Sequence, residues 1–361
     1  MHSDQIFIGF DVDKAHVAAC VLRGTQAAPI EEVTLPNEAG RIRKYLKEVS
    51  REGKLQVGYE AGFSGYELAR AIQEWGYDGR VVAPSTVPRP SKERKKKTNR
   101  TDARRLALAM QSGDVNYVTI PDRMRETHRD RWRCWRALRK DLKRVKQRAG
   151  SFVHSRGLVY REGKTLWTKR YLAWLGHLPL CPEDLRTLQT YLNEKCYLEA
   201  QMGLVMGELK EIAQLPAYRE AVRRLQCFKA VDTLTALALV LEIGDFRRFP
   251  TAGALMDYLG LVPGEHSTGE TRKDGPLTGT GNARLRHLLI EVAWHYTYRP
   301  SHRKTLLLRQ QGQPSEVIAH AWKAQLRLYQ RYHHLLHTRG KATAVVAVAR
   351  ELVGFLWAVM R

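Results

Sequence analysis

The chain is poor in cysteine and poor in acid. Its five cysteines, Cys20, Cys134, Cys181, Cys196 and Cys227, are scattered through 361 residues with no C-x-x-C pair. An odd, dispersed set excludes a disulfide framework, argues against a structural zinc site and fits thiols kept reduced. The N-terminus, MHSDQIFIGF, lacks the basic start and long apolar run of a signal peptide. No uninterrupted apolar run approaches the ~20 residues of a membrane helix. Asp and Glu number 37 against 60 Lys and Arg, which leaves a net charge of +23 and a pI of about 10.0. A surplus of that size speaks to partners rather than to fold, with nucleic acid first and an anionic membrane surface second.

The apolar residues, 43% of the chain, suffice for a real core, and the length suits two or three domains. Residues 5–23 predict two strands around a polar turn at Asp13-Lys14-Ala15, and Thr34-Leu35 a third. Residues 38–52 have helical spacing, Leu55–Tyr59 is an apolar strand ending at Glu60, residues 65–75 are helical, and Arg80–Val82 is a further strand. Thr101 offers an N-cap for a helix that Gly113 stops. This order predicts a mixed sheet with helices on its faces.

From 123 to 148 twelve Lys or Arg stand against three acids, and Trp132, Trp135, Leu138, Leu142, Val145 and Ala149 form one apolar stripe. Trp132 and Trp135 obey the helix period, so they read as stripe rather than as base-stacking platforms. A second stripe runs through 184–212, and the two suggest an antiparallel hairpin joined by an irregular aromatic link, paired within one chain or between chains. Residues 216–361 read as mostly helical.

Three segments carry chemistry. Asp11 and Glu60 end strands and Asp102 opens a helix, so the three converge on one edge of a sheet, where carboxylates repel one another unless a cation sits among them. Asp13, beside Asp11, reads as a turn former. Residues 88–105, PRPSKERKKKTNRTDARR, carry nine Lys or Arg, among them Lys95, Lys96, Lys97, Arg100 and Arg104, and lead into Asp102. The run is either a solvated loop or a track that delivers a phosphate backbone to the acids. Finally, Ser267-Thr268-Gly269 precedes Arg272, Lys273, Arg284 and Arg286 among Gly275, Gly279 and Gly281. Ser-Thr-Gly is a common turn, but a hydroxyl beside such cations can also bind or attack a phosphate. His266 and His287 are possible bases.

FIGFDVDK at 7–14, GYEAG at 58–62 and KTNRTDARRLA at 97–107, together with the long block 228–296, resemble the DEDD transposases of bacterial insertion sequences, a group related to pilin-gene invertases. The resemblance covers nearly the whole chain. It implies a fold of α/β plus α: an N-terminal RuvC-like, ribonuclease H-like domain (1–122), a coiled-coil helical hairpin (123–215) and a mostly helical C-terminal transposase domain with a catalytic serine (216–361). It places the family's four metal-binding acids on Asp11, Glu60, Asn99 and Asp102, of which the third is here an amide. It places the nucleophile in the Ser267-Thr268 pair, with Ser267 assigned and Thr268 the alternative. Lys229-Ala230-Val231-Asp232 stands where the family often has a glycine-rich turn.

The resemblance further implies Mg²⁺ as cofactor, donor and target DNA as substrates, a noncoding bridge RNA as guide, a homo-oligomer that assembles from dimer to tetramer, a cytoplasmic, nucleoid-associated setting and no membrane partner. Two rivals differ in class. A metal-only nuclease of branched DNA would share the acids without a serine link. A catalytically inactive nucleic-acid-binding protein would bind regardless of Asp11 or Mg²⁺.

Overall fold

A computed structural model describes residues 4–84, 87, 98–268 and 271–361, with the backbone alone at 265–268 and 271–274. The chain divides into two compact units, Met1–Pro121 and Asp122–Arg361.

The first unit is a five-stranded sheet in the order β3-β2-β1-β4-β5, with strands β1 (Gln5–Val12), β2 (His16–Arg23), β3 (Glu31–Pro36), β4 (Lys54–Glu60) and β5 (Asp78–Val82). β1, β2 and β3 pair antiparallel, while β4 joins β1 and β5 joins β4 in parallel. A mixed sheet in this order is consistent with the ribonuclease H-like expectation. Both faces of β1 are covered. Ile6, Ile8 and Phe10 pack with Leu55, Val57 and Tyr59 of β4 against Ile42 and Leu46 of α1 (Ala39–Val49) and Ile72 of α2 (Glu67–Glu74). Phe7, Ala18, Cys20 and Leu22 face Ala103, Leu106, Ala107 and Met110 of α3 (Asn99–Ser112). The period of two in strands sorts the side chains onto these two layers. Gly9 permits the close fit, since a Cβ there would strike the Ala103 carbonyl and stand 2.6 Å from the Ala107 nitrogen.

The cap of α3 differs from the sequence expectation. Thr98, not Thr101, is the N-cap, and its hydroxyl accepts from the Thr101 amide at 3.3 Å. Asp102 therefore lies in the first turn rather than beside the cap. Thr101 is a helical residue because Thr98 satisfies the amide that Thr101 would have left open.

The second unit begins with a long helical pair, α4 (Arg123–Ser155) and α6 (Pro182–Ile212), with the short α5 (Lys169–Leu175) between them. Ion pairs set the pair antiparallel within one chain: Arg131 meets Glu208, Lys146 meets Glu199 at 3.1 Å, Arg148 meets Glu194 at 2.6 Å and Arg156 meets Asp184 at 2.7 Å. Such surface pairs steer register more than they stabilise. Adhesion comes from Leu142 and Val145 against Leu198, and from Ala149 and Val153 against Leu188, Tyr171 and Leu175. The segment expected to be an irregular link is partly helical, because α4 runs on to Ser155 and Tyr171 and Leu175 give α5 a buried side.

The base of the pair merges into the main core, where Trp132, Val205 and Leu209 join α7 (Pro216–Leu225), α8 (Thr233–Ile243), α9 (Ala252–Tyr258), α10 (Ala283–Ala293) and α12 (Ser315–Met360). α8 is buried from Leu234 to Ile243, as befits a central helix. α12 is long and apolar enough to cross a membrane by composition, which qualifies the reading that no such stretch exists. Its backbone breaks at Gly340, and Ala344, Val345, Val348, Leu352 and Leu356 are buried in this core. α11 (Lys304–Gln310) had no counterpart among the sequence expectations.

Candidate functional site

The two strand-end acids share a face. Asp11 lies opposite Ala18, and Glu60 opposite Val82, and both of those neighbours belong to the apolar cluster beneath α3. In the parallel register Phe10 pairs with Tyr59, so the next step along each strand brings Asp11 and Glu60 side by side. Asp102 precedes Ala103, the residue whose carbonyl rests on Gly9, two positions before Asp11 on that same face. Strand alternation thus puts Asp11 and Glu60 on one face, the face on which α3, bearing Asp102, is seated.

Asp102 already has a partner, since Arg105 Nη1 donates to its Oδ1 at 2.7 Å, with both side chains largely buried. Asn99 stands at the start of α3, one turn before Asp102, and is exposed, as are Arg100 and Arg104. Among the described residues, no three His, Cys, Asp or Glu side chains form a group ready to hold a metal. The donor types still suit a hard cation that takes oxygen ligands and keeps waters. Lys95, Lys96 and Lys97 lie outside the described residues.

Ser267 occupies a structure that sequence reasoning took for a turn. β6 (Pro263–Thr268) and β7 (Thr271–Leu277) form an antiparallel hairpin, and Ser267 pairs in register with Arg272, His266 with Lys273 and Thr268 with Thr271. The side chains of His266, Ser267, Thr268, Arg272 and Lys273 lie outside the described residues. The signal for the strands was the pair Glu265–Thr268 and Thr271–Lys273 around Gly269-Glu270, which polar composition concealed.

The base of the hairpin is firmly held. Gly260 and Gly281 have φ of 63° and 72°, and a Cβ on either would strike the carbonyl of Thr280 or Tyr258. These glycines bring chain to chain, not chain to ligand. Arg286, expected to contact nucleic acid, donates through Nη1 to Leu259 O at 2.9 Å and Thr280 O at 2.8 Å, and through Nη2 to Gly279 O at 2.9 Å. It fixes the loop that follows β7. Arg284 is exposed in the first turn of α10, which Asn282 caps by accepting from the Arg284 and Leu285 amides at 3.1 Å each. His287 lies 3.5 Å from Glu291 rather than at the hairpin tip.

Sequence reading missed Glu242. This buried carboxylate receives Arg133 Nε at 2.7 Å, Arg133 Nη2 at 2.9 Å and Asn282 Nδ2 at 2.9 Å. It ties α4, α8 and the start of α10 together. Its place in an apolar helix, as the one acid of TLTALALVLEI, was the available clue.

The turn at 229–232 keeps the shape a glycine would have given, since Ala230 has φ of 62°. Lys229 Nζ donates to Tyr298 O and Arg299 O, and Arg309 Nη1 to Val231 O at 2.6 Å, so these cations brace the turn.

Known proteins resemble this chain along nearly its whole length. Residues 8–155 match a DEDD-type transposase family model, and residues 222–306 match the model described as Transposase IS116/IS110/IS902 family. A putative transposase, y4qE, of Sinorhizobium fredii is 37% identical over 99% of this chain and 89% of its own length. The chain belongs to this transposase family. The transposase of insertion sequence element IS1533 from Leptospira borgpetersenii is 29% identical, over 93% of this chain and 98% of its own length. That of IS1111A from Coxiella burnetii is 26% identical over 88% and 81%. The protein is accordingly a DNA transposase. The two family matches fall on the acid-bearing sheet and on the Ser267 hairpin, so both candidate centres lie inside family-defining segments.

Proposed function

We propose that this transposase cuts and rejoins donor and target DNA through a serine–phosphate intermediate, with a divalent cation held by the N-terminal acids and a noncoding bridge RNA selecting the DNA partners. The observation that carries the chemistry is that Asp11 and Glu60 end adjacent strands on the face covered by α3, the helix that bears Asp102. Ser267 supplies the hydroxyl. Its proton leaves, its Oγ bonds to phosphorus, and the bond from phosphorus to one sugar oxygen breaks. The departing sugar oxygen takes up a proton. A sugar hydroxyl from a second strand then reverses the step, restoring the serine and joining new ends. The energy of the diester is conserved, so no external donor is needed.

Asp11, Glu60 and Asp102 would hold Mg²⁺, with Asn99 contributing an amide oxygen in place of a fourth carboxylate. The cation, when bound, would stabilise charge on the phosphate under attack. Arg272, opposite Ser267 in the hairpin register, supports the assignment because a guanidinium stabilises the same developing charge. Arg284, at the exposed start of α10, adds a phosphate-seeking group beside a helix N-terminus. The +23 charge, with Lys95, Lys96, Lys97, Arg100, Arg104 and Lys273, supplies sequence-independent attraction to the backbone. Ser267 lies far along the chain from the acids, so a homo-oligomer, dimer or tetramer, can build one site from two protomers.

The test is recombination between donor and target plasmids carrying the element and its flanking RNA, with denaturing gels to trap protein–DNA adducts. Wild type should give adduct and product. Ser267→Ala should give neither, and Asp102→Ala should reduce both by more than about a hundredfold, the scale expected on losing a group that stabilises transition-state charge. Strand cleavage persisting in Ser267→Ala, or an adduct retained there and lost in Thr268→Ala, rejects the assignment of Ser267.

A further inference from the structure

We propose that a groove along α4 is a binding site for an unpaired nucleotide of a single-stranded polynucleotide, with the base against Trp167 and the backbone along Arg139, Lys143 and Lys146. The groove measures about 670 Å³ and runs along one face of α4 from Arg139 past Gly150, with Leu166 and Trp167 on its other side. Two energetically unfavourable features meet there.

Trp167 has φ of 66°, a left-handed backbone that a bulky residue seldom adopts. Its ring is nevertheless held, edge-on to Tyr171 with centroids 5.3 Å apart and with Lys146 Nζ 5.7 Å from its centre. Strained backbone of this kind persists where the surroundings over-determine it, and it clusters at ligand-binding positions. Gly150 sits in the interior of α4, where glycine is a poor helix former. Nothing lies within 4 Å of the place a Cβ would take, so no neighbour requires the absence of a side chain. Open space over Gly150 and a strained Trp167 therefore border one cleft.

The chemistry of the cleft selects its occupant. Its floor is apolar, through Leu142, Leu166 and the indole, and its rim is cationic, with no carboxylate among the described lining side chains. Lys143 is exposed on that rim. Arg139 reaches Glu291 only at 3.9 Å, while Lys146 meets Glu199 at 3.1 Å. A flat apolar surface with flanking cations suits a base and its phosphates, because aromatic stacking accepts any base while Lys and Arg follow the backbone. A duplex hides its bases in the stack and cannot use the indole. The site is independent of Ser267 chemistry, so strand binding and adduct formation can each fail without the other.

The test is fluorescence anisotropy on the full-length protein with labelled oligo-dT, oligo-rU and a DNA duplex. Gly150→Leu fills the cleft with a better helix former, and Trp167→Ala removes the indole. Both should weaken binding of single strands by roughly tenfold, one base stack, and leave duplex affinity within about twofold. Trp167→Phe should keep strand binding within about threefold of wild type. Loss confined to dT or to rU supports the site and names the sugar it takes. If Gly150→Leu, folded by circular dichroism, leaves strand binding unchanged, or weakens strand and duplex alike, the proposal is overturned.

Discussion

Asn282 serves two elements at once: its Oδ1 caps α10, and its Nδ2 donates to the buried Glu242 carboxylate at 2.9 Å. The same carboxylate holds the Arg133 guanidinium through two bonds. The start of α10, which follows the strand pair that carries Ser267, is thereby anchored to a long basic helix through a buried charge. Removing one member of a buried pair leaves the other uncompensated.

Arg133→Ala should therefore destabilise the second unit by about 3 kcal/mol, read as a lower urea midpoint. Adding Glu242→Gln should recover part of that loss, because a neutral amide tolerates burial better than an orphaned carboxylate. A double variant no more stable than Arg133→Ala would show that the charge is not what matters.

Ala230→Gly should stabilise the protein by about 1 kcal/mol. Ala is strained at φ of 62°, whereas glycine adopts that conformation freely. The gain is offset in part by glycine's greater freedom in the unfolded chain. Chemical denaturation measures it, and a loss of stability would contradict the left-handed turn.

Gly9→Ala should lower the stability of the first unit by more than about 2 kcal/mol, as overpacking does. The added methyl strikes the α3 backbone, where a side-chain rotation cannot relieve it. DNA cleavage should fall as well, since α3 carries Asp102, which the proposed cation site draws on. Wild-type unfolding in Gly9→Ala would mean that α3 does not lie on that strand as described.

Thiol reactivity should separate the cysteines. Burial pushes the Cys227 thiol up to about 11, and burial with the Glu32 carboxylate nearby does the same for Cys20. Both should resist alkylation at pH 8 while the exposed Cys134, Cys181 and Cys196 react. A raised thiol pKa also favours the neutral form in the fold. The stability it contributes is complete below the unfolded value near 8.5 and is lost as pH rises toward about 11. Native-state labelling of Cys20 or Cys227 at the rate of the unfolded chain would refute this.

Much of the scaffold was legible because local patterns and tertiary packing agree. Ile6, Phe7, Ile8 and Phe10 form the near-continuous apolar run that a strand buried on both faces requires, and Gly113 stops α3 in a left-handed cap, as expected. The hairpin around Ser267 was hidden because its strands are polar and its glycines suggested a loop. The bracing role of Arg286 was hidden for a related reason: sequence shows a guanidinium near glycines but not which carbonyls surround it, and three of them take its donors.

By itself the sequence determined the strand and helix order of the first unit, the cationic surplus and the residue types at both candidate centres, since these follow from period, charge and side-chain chemistry. Only the folded chain decided that α4 and α6 pair within one molecule, that Asp102 faces Arg105, and that Trp167 and Gly150 share a cleft. The helix pairing and the cleft depend on contacts between residues apart along the chain, chosen by shape and burial, whereas the Asp102–Arg105 pair spans a single helix turn and became visible only once α3 was seen to start at Asn99.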